Sequence, residues 1–346
     1  MYGSWLVCGS DWGFWTCTLF KGCGGSYQMK FFILIAFLAV FSQALEKHQI
    51  APYSVCSGKF MGIKILDSRI IDISRIDGEK FYGISGIAYD ENRDVLYALN
   101  DRGRLYSLRM IVKDNEIKEL KPISAYRLKD EYGRKLLRHR ADSEGLTLVR
   151  DGDKKALLVS FEKYPKIMKF DVYGNGDKKQ KITLPKRLKS IKNYQGTNGA
   201  LEALTYHPKY GILTTAEFPL KDQKMGYQGI FNSDGEVCKF KKDYFDNAVT
   251  EFEMMADGNL LVLQRDFNKR NFKIQITLKK VYLNNIQNGI CKTKNLAVMK
   301  SDEGWNLDNF EGLTHYKDNI YLMISDDNGF FLQDTILTMF EVIDLK

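Results

Sequence analysis

One unit recurs five times along this chain and limits what it can fold into. Each copy is an apolar run, a short polar turn and a second apolar run, with acidic residues at its open end. The last copy is the clearest. Asn309-Phe310-Glu311-Gly312-Leu313 leads into the run 313–316, and Lys317-Asp318-Asn319 makes the turn. The return run 320–324 ends at Ser325-Asp326-Asp327-Asn328. Two apolar runs about a short polar turn read as a β-hairpin. Antiparallel pairing about Asp318 sets Glu311 opposite Ser325, so the acids of both strands share one end.

The earlier copies follow the same plan. The first runs from Gly83-Ile84-Ser85-Gly86 to Asn100-Asp101-Arg102-Gly103, with a further strand at 105–111. The second runs from Asp142-Ser143-Glu144-Gly145 through the turn signal Asp151-Gly152 to Phe161-Glu162. The third runs from Gly199-Ala200-Leu201-Glu202 to Glu217, and the fourth from Glu251-Phe252-Glu253-Met254-Met255 to Gln264-Arg265-Asp266. Aligned on Ile87, Leu146, Leu204, Met255 and Leu313, the copies step by 59, 58, 51 and 58 residues. A several-stranded β repeat of about 50 residues is the mark of a propeller blade. The hairpin strands are apolar on both faces, as strands between neighbouring blades must be.

The fold class read from this pattern is all-β, a single β-propeller. The strands within 60–74 and the closing apolar run 335–343 are read as a sixth blade built from both chain ends. Six blades is thus the reading, with five as the alternative. The chain has 346 residues, 44% of them hydrophobic and only 6 of them Pro, enough for one large β domain. No long amphipathic helix or Pro/Gly/Ser-rich linker divides it, so residues 45–346 are assigned to one propeller domain.

Residues 29–44 read as a signal peptide. Lys30 is a short basic region, 31–41 is an unbroken apolar core, and Ser42-Gln43-Ala44 has the small residues of a cleavage site. The core is too short for a transmembrane span. Residues 1–28 hold three of the four Trp and three of the six Cys without strand or helix periodicity. They are read as an over-extended N-terminus ahead of the natural start at Met29. The expected location is periplasmic or secreted, with no stable membrane span after cleavage. Of the remaining Cys56, Cys238 and Cys291, at most one intramolecular pair can form; an exported chain permits one, and Cys238–Cys291 is conceivable.

In a propeller the open ends of the hairpins converge on the central channel. Gathered there are Ser85, Asp101, Arg102, Asp142, Glu144, Glu162, Glu202, Glu217, Glu253, Arg265, Asp266, Asp308, Glu311, Asp326 and Asp327. This is a dense set of carboxylates in a chain of net charge +8. Crowded acids raise one another's pKa unless compensated. Arg102 and Arg265 can pair with them, or a hard cation can take their oxygens. No His or Cys recurs at these positions, so calcium suits them better than zinc. The same acids can instead be scaffold, capping backbone N–H groups of the next blade.

Other chemistries find no support. There is no G-x-S-x-G elbow and no recognisable Ser/His or Cys/His spacing. No glycine cluster sits between a strand and a helix as a phosphate loop does. The four His are scattered. The 51 basic and 43 acidic residues are interspersed without a compact basic-aromatic motif, which excludes nucleic acid as the expected partner.

The succession Gly83-Ile84-Ser85-Gly86, Asn100-Asp101-Arg102-Gly103 and Asp142-Ser143-Glu144-Gly145 resembles the phytase-like family, whose bacterial members carry the description "esterase-like activity of phytase". The likeness continues through Gly199-Ala200-Leu201-Glu202 with Glu217 and through the stretch from Glu253 to Leu263. It is most specific at Asp308-Asn309-Phe310-Glu311-Gly312 and Ser325-Asp326-Asp327-Asn328. Two departures stand out: Gln264-Arg265 where the family often has Glu-Arg, and Pro165-Lys166 where it often has Pro-Arg.

The resemblance implies an exported hydrolase of ester or phosphoester bonds acting on a small anionic or ester substrate, expected as a monomer. Glu144, Glu202 and Glu311 are the candidate catalytic carboxylates. Arg102, Lys166 and Arg265 are the candidate substrate clamp. Glu253, Asp308, Glu311, Asp326 and Asp327 are the candidate calcium ligands. A lactonase-like calcium propeller and a non-catalytic exported binding propeller are the alternatives.

Overall fold

The computed structural model describes residues 5–11, 14–20, 45–55, 57–178, 182–196, 199–243, 247–268, 270–330 and 333–344. Contacts divide the chain into two compact units, 1–42 and 43–346. In the first, Trp5–Asp11 pairs antiparallel with Phe14–Phe20. These strands carry β-favouring aromatic and β-branched residues in consecutive rather than alternating positions, which hid them from a periodicity search. The signal segment 29–44 and Cys56 lie outside the described residues.

The second unit is a ring of antiparallel sheets, one per repeat. Blade 1 consists of Ile84–Asp90, Val95–Asn100, Arg104–Lys113 and Glu116–Arg127 in sequence order. Blade 2 has three strands, Ser143–Asp151, Lys154–Phe161 and Lys166–Phe170. Blade 3 is Leu201–His207, Gly211–Ala216, Tyr227–Asn232 and Gly235–Lys241. Blade 4 is Ala248–Met254, Leu260–Asn268, Lys273–Gln287 and Ile290–Lys300. Blade 5 is Asn309–Lys317, Ile320–Asp326 and Ile336–Val342, completed by Ile63–Ile70 from the other end of the domain. The first strand of each blade packs on the first strand of the next, and blade 5 closes on blade 1.

Among the described residues the repeats form five such sheets, and Arg75–Ile76 with Glu79–Lys80 make a separate two-stranded one. Ile336–Val342 uses one edge to pair with Ile320–Asp326 and the other to pair with Ile63–Ile70. The two chain ends therefore finish the sheet of the fifth repeat. The ring is still locked by its ends, as expected, but within a blade the repeats had already counted.

Packing explains the doubly apolar strands. Every residue of Ile84–Asp90 and Val95–Asn100 is buried. Between blades 5 and 1, Leu322 and Ile324 meet Ile87 and Leu96; between blades 3 and 4, Leu213, Ile230 and Phe240 meet Phe252, Leu260 and Val262. Each such side chain contributes about 1.5–3 kcal/mol by leaving water. The inner strands approach so closely that a Cβ on Gly86 would sit 2.6 Å from the Glu144 carbonyl oxygen. That is why a small residue follows the acid in the repeat motif.

At the outer edge, blades 3 and 4 are joined by a single parallel bridge, Lys239 to Ile290. The Cys238–Cys291 disulfide lies beside it. Three of the four His are packing residues: His48, His207 and His315 each place Nε2 within 3.0 Å of a backbone carbonyl. Among the described residues no helix is long and apolar enough to cross a membrane.

Candidate functional site

Each inner strand begins with a β-bulge. The register skips between Ile84 and Gly86, Ser143 and Leu146, Leu201 and Leu204, Val249 and Glu251, and Phe310 and Gly312. A bulge inserts a residue that the partner strand does not match and re-aims its side chain. Ser85, Glu144, Glu202, Thr250 and Glu311 hold this place in the five blades. Ser325 therefore pairs with Phe310, and Glu311 is the bulged residue beside it. A second set stands one residue beyond the return-strand residue that pairs just before each bulge: Asp101, Glu162, Glu217, Arg265 and Asp326. Two positions per blade thus converge on one mouth, and seven of the ten are carboxylates.

The fourth repeat is registered three residues from the sequence alignment. Phe252, not Met255, stands level with Ile87, Leu146, Leu204 and Leu313. Its channel residue is Thr250. Glu253 lies farther along the strand, where it accepts hydrogen bonds from the Met254 N–H (2.9 Å) and the Thr205 hydroxyl (3.2 Å). The expectation that Glu253 is a metal ligand is corrected accordingly.

Two more expected ligands are committed to turns. Asp308 accepts from the Asn309 N–H, the Gln333 amide and the Asp334 N–H at 2.7–3.1 Å. Asp327 accepts from the Gly83 and Gly329 N–H groups at 2.8 and 2.9 Å and from the Thr335 hydroxyl. Asp327 thereby ties blade 5 to blade 1. Asp326 remains at the mouth; burial and then the charge of Glu311 push it up to about 8.

Arg265 fills the place that the other blades give to an acid. Its guanidinium donates to Glu311 at 2.7 Å, to Glu217 at 3.3 Å and to the Asn309 side chain. It neutralises the side of the mouth formed by blades 3 to 5. Arg265→Met would leave Glu217 and Glu311 without their counterion. We expect a loss of about 3 kcal/mol in thermal or denaturant unfolding of the cation-free protein, partly restored by adding calcium.

On the blade 2 and blade 3 side the carboxylates gather in two overlapping groups. Asp142, Glu144 and Glu162 each bring an oxygen within 4.8 Å of the others, and so do Glu162, Glu202 and Glu217. Glu162 belongs to both groups. Burial, followed by neighbouring acids, holds Glu144 and Glu202 well above the usual carboxylate range. Burial likewise pushes Glu162 up to about 7, although it accepts the Gly199 N–H. Gly199 is at φ +107°, and a Cβ there would crowd the Glu217 carboxylate at 2.9 Å. The donor set is all oxygen, spread over two blades, and fits a hard divalent cation. These acidic clusters can hold a metal ion.

The expected basic clamp is dispersed. Arg102 is exposed, 3.7 Å from Asp101 and over the Tyr82 ring. Lys166 lies 4.5 Å over the Phe161 ring and is lowered by burial and by Arg140; no mouth carboxylate acts on it. Two other cations take its place. Lys163 meets Asp142 at 3.0 Å. Lys242 lies over the Phe218 ring, and its charge, with that of Arg265, opposes the burial that holds Glu217 above the usual carboxylate range. Lys163 was legible, because it follows Glu162 as Arg102 follows Asp101. Lys242 was not: it arrives from the outer edge of blade 3.

The profile of a family described as phytase-like, esterase-like activity of phytase, matches residues 79–329, which is most of the chain. The chain belongs to this family. No curated protein matches it. Among solved structures it is similar to streptogramin B lyase, at 9% identity over 80% of this chain and 96% of that one, with TM-score 0.36. It is also similar to the PQQ-bound aldose sugar dehydrogenase of Streptomyces coelicolor, at 9% identity over 80% and 98%, with TM-score 0.42. The Dos1 propeller matches at 10% identity over 75% and 68%, with TM-score 0.34.

Proposed function

We propose that this member of the phytase-like family is an exported hydrolase of ester or phosphoester bonds that uses a calcium ion at the channel mouth. The observation that carries this reading is the pair of overlapping carboxylate groups sharing Glu162. Asp142, Glu144, Glu162, Glu202 and Glu217 would hold the ion. Bound there, it would polarise the substrate oxygen and lower the pKa of a water. Glu144 or Glu202, whichever is not engaged as a ligand, would take the proton from that water. Arg102 and Lys163 flank the acids and would attract an anionic substrate. The Cys238–Cys291 disulfide agrees with export into an oxidising compartment.

The test is a turnover screen of phytate, simple phosphomonoesters, carboxyl esters and lactones, with calcium and with chelator. Hydrolysis of one class that chelator abolishes supports the proposal. Inactivity on every class, with calcium bound, favours the second reading, a binding propeller. That reading draws on Glu253, Asp308 and Asp327, whose oxygens are already taken by scaffold N–H groups.

The raised carboxyls give a pH dependence of definite sign. Glu162 and Asp326 hold protons in the fold up to about 7 and 8, whereas the unfolded chain releases them near 4. Between these limits the native state binds more protons than the unfolded state. Stability of the cation-free protein therefore falls as pH rises from about 4 to about 8. Calcium must displace the Glu162 proton, so its affinity rises as pH climbs from about 4 to about 7 and binding releases protons. Calorimetry in two buffers of different ionisation enthalpy reads the released protons directly; pH-independent binding would contradict the assignment.

A further inference from the structure

Glu251 stands at a place where the other four repeats have Gly86, Gly145, Ala203 and Gly312. Registration leaves no freedom in this equivalence: Glu251 pairs with Leu263 as Gly86 pairs with Leu99, each closing its bulge. In the other blades the small residue admits the backbone of the next inner strand. In blade 4 a full side chain crosses that space, and its carboxylate is wholly enclosed. One oxygen accepts the Leu204 N–H at 2.8 Å and its own neighbour Phe252 N–H at 3.0 Å. The other accepts the Leu146 N–H at 3.2 Å.

Those donors are not arbitrary. Leu146 and Leu204 are the residues at which the ladders of blades 2 and 3 resume after their bulges. The two bulges carry Glu144 and Glu202. Inner strands have no further strand to pair with on the channel side, so these N–H groups need another acceptor. Ser160 adds a second tie: its hydroxyl accepts the Gly145 N–H at 2.8 Å and donates to the Glu202 carbonyl at 2.6 Å. One carboxylate from blade 4 thus fixes the backbone beneath two acids from two other blades.

We propose that Glu251 is a positioning residue: it holds the Glu144 and Glu202 bulges in the arrangement that receives the divalent cation, without touching the ion. The inference rests on the cation reading above. Groups that orient metal ligands typically change affinity about 10- to 100-fold when altered. Glu251→Gln keeps the shape but replaces one acceptor oxygen by a donor facing a backbone N–H.

The test is calcium titration calorimetry on the full chain, wild type against E251Q, with amide hydrogen exchange at Leu146 and Leu204. E251Q is expected to bind calcium about 10- to 100-fold more weakly and to exchange both amides faster, with blade 1 amides unchanged. A purely structural glutamate would lower the melting temperature and leave wild-type affinity in E251Q; that result overturns the assignment. Should E251Q not fold, E251D supplies the same comparison with the carboxyl kept and the reach shortened. Wild-type protein that binds no divalent cation overturns the cation reading itself, a different outcome from an unchanged E251Q.

Discussion

Glu144→Gln combined with Glu202→Gln is expected to remove calcium binding and, with it, at least about 100-fold of any hydrolytic rate, while the melting temperature holds or rises. The two acids lie on the second and third blades and sit in different carboxylate groups that meet at Glu162. Burial and mutual repulsion hold both well above the usual carboxylate range. Neutral amides relieve that repulsion, so the cation-free fold gains where the site loses. This opposite movement separates a ligand role from a scaffold role: acids that cap backbone groups would lower stability when neutralised. The measurement is calcium calorimetry beside a thermal melt. Unchanged affinity, or a large drop in melting temperature with chelator present, would sink the assignment.

The second large effect is expected from the covalent tie. Cys238 and Cys291 close a loop of 53 residues, which in the chain-entropy view contributes about 4 kcal/mol by restricting the unfolded chain. The tie also joins the outer strands of blades 3 and 4, whose only pairing among the described residues is the Lys239–Ile290 bridge. Replacing both cysteines by Ser should lower unfolding stability by about that amount and raise amide exchange along Gly235–Lys241 and Ile290–Lys300. Wild type in a reductant should match the double variant. Equal stability of oxidised and reduced protein would show that the blades hold together without the tie.

Much of the architecture was written in local pattern. The five hairpins, their polar turns and the small residue at the bulge of four of them are features of the chain itself. They are legible because each blade is a local unit and its strands are apolar on both faces. The blade count was less legible, because the same end-to-end closure serves five blades or six. Which sheet Ile336–Val342 joins depends on a strand more than 260 residues away.

The site divides along the same line. That acids would crowd one mouth followed from the repeats alone. Which acids face one another did not. A bulge moves a residue between faces without marking the sequence, and it set Glu311 beside Ser325 and Thr250 in the place expected of a glutamate. Partnership then separated like from like. Asp308, Asp327 and Glu253 met backbone N–H groups, Glu311 met Arg265, and Asp142, Glu144, Glu162, Glu202 and Glu217 were brought together in two overlapping groups, with Lys163 beside Asp142 and Arg265 beside Glu217. The sequence by itself determined an all-β ring of repeats with carboxylates at one end, because periodicity and turn chemistry act over a few residues. Only the tertiary structure decided how the two chain ends complete the sheet of the fifth repeat and which carboxylates gather between the second and third blades, because burial, register and charge pairing depend on what the rest of the ring brings to each position.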